Sequence, residues 1–129
     1  MKKPITFVLQ SELYPHKVIV FIGPRPKPET VGGLCKRHKL WSGEGRTPHT
    51  GDGRASTITF GCGCFLWMEV FDGKASPDWF GTLAHEMCHV LSNASEHMGI
   101  YMDQKTDEFH AYYGGWLTKQ IVRRMQRRR

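Results

Sequence analysis

The chain opens with short apolar runs separated by polar turns and closes with long stretches of helical periodicity. "ITFVLQ" (5–10) and "KVIVFIG" (17–23) are rich in β-branched residues, and "SELYPH" between them suits a turn, so they predict two strands. "PRPKPET" follows with its three clustered prolines and predicts an extended connection. From Val31 to Arg54 no period emerges and Gly, Lys, Arg and His dominate, which predicts a long loop, functional or mobile. "ASTITF" (55–60) and "CFLWMEVF" (64–71) predict two further strands, joined through a hairpin turn at "GCG". Ser76 is then a good N-cap and Pro77 a good first helical residue, for a helix over 77–95. After "MGIYMDQK", Thr106 predicts a second cap, with Asp107 and Glu108 in the first turn of a helix reaching about Arg127. Strands first and helices last, without an internal repeat, predict an α+β fold in a single domain over 1–129.

Composition narrows the class. With 129 residues, 40% hydrophobic and 23% charged, the chain belongs with globular domains rather than disordered ones. No apolar run approaches the ~18 residues of a membrane span. The apolar stretch near the start is shorter than the ~7–15 residues of a signal-peptide core, so a cytoplasmic protein without a membrane partner is expected. The four cysteines, Cys35, Cys62, Cys64 and Cys88, then read as thiols. Cys35-x-x-His38 with Cys62-x-Cys64 has the donors for a structural zinc, although reduced, unconnected thiols are the simpler reading. Cys88 reads as a small buried hydrophobe. The net charge of +6 is concentrated in "RRMQRRR" (123–129), either a frayed, solvated helix end or a patch for nucleic acid.

The chemistry lies in "TLAHEMCHVL" (82–91). His85-Glu86-x-x-His89 matches H-E-x-x-H, and on a helix the two histidines share a face from which both imidazoles reach one zinc. At about 100° per residue, Phe80, Leu83, Ala84, Met87, Leu91 and Ala94 cluster on one side, with His85 and His89 roughly opposite. The histidines therefore face water or a cleft rather than a core. A third ligand is needed. Of His97, Asp103, Asp107, Glu108 and His110, Glu108 is favoured, because Glu108, Ala111, Tyr112 and Gly115 share a face whose small residues let two helices approach. The competing reading of Glu108 is a carboxylate that serves only the helix dipole.

Together, "TLAHEMCHVL" and "DEFHAYYGGWLTKQIV" resemble the gluzincin type of zincin metallopeptidase. More narrowly they are similar to small phage- and prophage-encoded H-E-x-x-H peptidases, over about Pro77 to Val122. The first motif also resembles that of SprT-like proteases, whose third histidine His97 does not match in spacing. The gluzincin resemblance implies a minimal zincin-like domain: a small twisted sheet on the H-E-x-x-H helix, then a helix bearing the third ligand. It implies Zn2+ on His85, His89 and Glu108, with Glu86 as the base that activates water on the metal to hydrolyse a peptide bond. It also implies that the strand before the motif helix offers its edge to a peptide substrate, in the cytoplasm of a host cell. Tyr112 is the favoured second oxyanion donor, against ordinary core packing of Tyr112 and Tyr113. The 31–54 loop would be the wall or lid of the cleft. The alternative is a basic zincin-fold binding module for a host protein or nucleic acid, with a structural or vestigial zinc site. A metal-free protein whose histidines merely line a polar cleft is the third reading.

Overall fold

A computed structural model describes residues 3–70, 76–101, 103–105 and 107–127. Seven elements follow in the order β1 (Ile5–Gln10), β2 (Lys17–Ile22), α1 (Pro28–Arg37), β3 (Ala55–Phe60), β4 (Gly63–Met68), α2 (Pro77–Met98) and α3 (Asp107–Gln126). The four strands form one sheet in the order β1-β2-β4-β3. β2 and β4 are parallel, and both outer pairings are antiparallel. The fold is α+β, as expected, but a helix interrupts the run of strands.

Helices cover both faces of the sheet. Val18, Val20, Ile22, Cys64, Leu66 and Met68 turn one way and pack against α2 and α3. Ile19, Phe21, Phe65 and Trp67 turn the other way, toward Val31 and Cys35 of α1. Alternate strand residues point to opposite faces, so a strand covered on both sides must be apolar throughout. That is why "KVIVFI" and "GCFLWM" are almost wholly buried. The outer strands β1 and β3 are more exposed.

α1 lies inside the stretch expected to be a loop. Pro28 stands at its N-terminus, Glu29 in its first turn and Lys36 and Arg37 in its last, each where the helix favours it. Its glycines obscure the pattern. Gly32 is required for close approach: a Cβ there would come within 2.9 Å of Thr47 Cγ2.

α2 begins where its cap predicts. Ser76 Oγ accepts from the Trp79 backbone N–H at 3.2 Å, and the helix ends at Gly99 with φ of +67°, a left-handed cap suited to glycine. It runs three residues beyond the expected Ser95. Ser76→Ala should lower stability by about 0.5–2 kcal/mol. Urea unfolding checks this, with the midpoint falling and the slope unchanged. The expected cap Thr106 and the end of the 64–71 strand at Phe71 lie outside the described residues. Among the described residues no helix is long and apolar enough to cross a membrane.

Candidate metal centre

α2 presents a polar stripe beside the open edge of the sheet. His85, His89, Ser92 and Glu96 follow the helical repeat, and Glu86 and Asn93 flank the stripe on the side toward β3. Together with Ala55, Ser56, Thr57 and Thr59 of β3 they line a cleft of about 440 Å³. It continues past His85 into a recess formed by Arg54, Asp78 and Thr82. Among the described residues β3 has no strand on its outer side, and its residues form one wall of the cleft.

His85, Glu86 and His89 have ligand atoms all within 4.8 Å of one another. The two imidazole Nε2 atoms are 3.4 Å apart, with the rings inclined at 71°. An ordinary N–H hydrogen bond would draw them to ~2.7–3.2 Å. Two nitrogens sharing a tetrahedral zinc at ~2.0–2.1 Å would stand about 3.4 Å apart. The spacing is compatible with a shared cation as well as with a long imidazole–imidazole contact. Both histidines are exposed, whereas Glu86 is only 5% exposed. The donor set, two imidazoles and an adjacent carboxylate, is one that a first-row divalent metal accepts.

Glu108 does not join this group. The buried side of α3 is His110, Tyr113, Gly114, Leu117 and Ile121. Glu108 lies about 180° from Leu117 around that helix. The stripe chosen for close packing, Glu108, Ala111, Tyr112 and Gly115, is instead exposed. Axial position separates Glu108 from the histidines as well. His110 bonds Ser95, and Gly114 sits against Leu91, so the start of α3, which carries Glu108, lies beyond the histidines and on another side of α2. Ser95 is six residues past His89, roughly 9 Å along the axis. Tyr112 is 67% exposed on that outer stripe and lines no part of the cleft.

Other expectations change for similar reasons. β4 is paired on both sides, so the strand before the motif helix is internal, and the outer strand beside the motif helix is β3. α1 covers the opposite face of the sheet, and of residues 31–54 only Arg54 lines the cleft or its recess, so this stretch is not its lid. Cys35 and Cys64 belong to cores on opposite faces, and no metal-competent group of Cys35, His38, Cys62 and Cys64 forms among the described residues. Burial pushes the Cys35 thiol up to about 12 and raises Cys64 further. All four cysteines are free, and Cys88 is exposed rather than buried. It lines an apolar groove between α2 and α3, away from the histidines. The basic end of α3 lies near β1, at the far edge of the sheet from β3, with Arg124 over Phe7 at 5.2 Å.

A buried polar relay supports the cleft and was not anticipated from the sequence. His16 is fully buried, with Nδ1 2.7 Å from Tyr113 Oη and Nε2 2.6 Å from Asn93 Oδ1. Asn93 donates through Nδ2 to the Phe60 carbonyl at 2.8 Å. Asn93 thus offers His16 an acceptor, so Nε2 carries the proton and Tyr113 donates to Nδ1. The relay ties α2 to the end of β3 and so sets the width of the cleft. Its only local signal was Asn93, one turn after His89.

Comparison with known family models, curated proteins and solved structures finds no match to this chain.

Proposed function

We propose that this chain is a zinc-dependent peptidase of zincin-like arrangement, with His85 and His89 as two of the metal ligands and Glu86 as the general base; among the described residues, Glu86 aside, no third protein ligand joins the two imidazoles. The 3.4 Å imidazole pair carries the reading, because its spacing is compatible with a shared tetrahedral cation. The buried Glu86 beside it and the edge of β3, unpaired among the described residues, support the reading further. When bound, zinc supplies Lewis-acid polarisation of a carbonyl and makes a water molecule acidic near neutral pH. Glu86 takes the proton from the attacking water and delivers it to the departing amine. β3 aligns an extended peptide by backbone pairing, and α2 forms the opposite wall.

Metal content of the purified protein tests this, with His89→Ala and Glu108→Ala measured in parallel. About one zinc per chain is expected in the wild type. His89→Ala should weaken binding by at least about 100-fold, since losing even an outer-shell partner costs ~10–100-fold. Glu108→Ala should retain the metal, given where α3 places that residue; loss of zinc there would bring Glu108 into the coordination shell. A wild type that takes up no zinc on reconstitution would sink the reading. Weight would then move to the alternative, a basic binding module acting through exposed Arg123, Arg124 and Arg127, whose binding to nucleic acid weakens steeply with salt.

A further inference from the structure

The cleft beside β3 is charged against the sign of the whole protein. The chain carries a net +6, yet residues 55–118 hold eight of its twelve acidic residues and only two of its eighteen lysines and arginines. Among the described residues the cleft itself is lined by Glu86 and Glu96 and by no lysine or arginine. At its other end, Arg54 and Asp78 share the recess, so the described charges there balance. Glu86 is enclosed and committed to the metal centre. Glu96 is different: it is exposed, and among the described residues its carboxylate has no ion pair or hydrogen bond.

Position gives Glu96 a role. It follows His89 by seven residues on the same helix, which returns it to within about 20° of the same face. It stands roughly 10 Å farther along the axis. An extended chain advances ~3.3 Å per residue. A peptide lying along β3, with its reacting bond over His85 and His89, would therefore pass Glu96 about three residues away.

We propose that the substrate is a cationic peptide segment, with a lysine or arginine side chain seated on Glu96 about three residues from the bond to be cut. This rests on the peptidase reading and adds the substrate class to it. Glu96 is a specificity-determining residue that attracts the side chain and fixes its register. It takes no part in the proton transfers.

The test measures binding rather than turnover. Zinc-loaded Glu86→Gln protein is titrated, by fluorescence polarisation, into short labelled peptides that differ only in one residue: Lys, Gln or Glu. The Lys peptide should bind about three- to fivefold more tightly than the Gln peptide, the size of one partly exposed ion pair, and the Glu peptide more weakly still. Adding Glu96→Gln should erase the preference, and Glu96→Lys should invert it. Glu96 is exposed, so neither change threatens folding. Peptides that bind without charge preference, or a preference that survives Glu96→Gln, would overturn the assignment of Glu96 and leave the peptidase reading standing. Failure of every peptide to bind the zinc-loaded protein would overturn both.

Discussion

Glu86→Gln should lower peptide hydrolysis by the zinc-loaded protein about 10²–10⁴-fold while leaving its zinc content unchanged, the range expected when a positioned proton carrier is removed. Glutamine keeps the shape of the side chain and its place beside the histidines but cannot accept the proton. Glu86 lies about 100° around α2 from His85, on the side toward β3, so it borders the metal position without sharing the face of the two imidazoles. Its low exposure holds the carboxylate in one place, which a proton carrier requires. Hydrolysis of a peptide panel and elemental analysis of the same samples check both halves of the expectation. Unchanged kcat/KM would remove Glu86 from the chemistry. Lost zinc would make it a ligand instead of a base.

The second large effect concerns stability. Asn93→Ala strips His16 of the acceptor for its Nε2 proton and the Phe60 carbonyl of its donor. A buried group left unpaired costs about 1–3 kcal/mol; His16 is fully buried and the Phe60 contact partly so, so the variant should lose at least that much of the stability of a small domain. Urea unfolding measures it, with Ser76→Ala as the milder reference.

The same relay makes stability depend on pH. Burial holds the His16 pKa below its ordinary value of 6.5; the Asn93 hydrogen bond opposes that shift, and the nearby His97 adds to it. The unfolded chain therefore takes up the proton first as pH falls. The contribution is fully present above about pH 6.5 and declines below it, by at most ~1.4 kcal/mol per pH unit, until the folded protein also binds the proton. His16→Gln should flatten that part of the profile. Asn93→Ala, which removes the contact favouring the charged form, should extend the decline to lower pH. Unfolding measured from about pH 5 to 8 separates the two. An identical acid slope in wild type and His16→Gln would exclude His16 as its source.

Parts of this protein could be read directly because their causes are local. The i, i+4 spacing of His85 and His89, the Ser76 cap and the apolar runs of β2 and β4 each act within a few residues. α1 escaped for a local reason too: Gly32 and Gly33 sit in a ten-residue helix and dilute its period. The placement of Glu108 failed for another reason. The periodicity of α3 defines several stripes, and nothing within the helix says which one will be covered. Contact with Leu91 and Ser95 decided that His110, Tyr113 and Gly114 turn inward, leaving Glu108 and Tyr112 outside.

The chain by itself determined where its strands and its two long helices would lie, and that two imidazoles and a carboxylate would meet on one turn of helix. Only the tertiary structure decided that β3 rather than β4 would be the outer strand beside the motif helix, that Cys35 and Cys64 would lie on opposite faces, and that Glu96 would stand in the cleft. The reason is range. Local geometry follows from backbone angles and the helical repeat, whereas strand order and the choice of a buried face depend on contacts such as His16 with Tyr113, which are 97 residues apart.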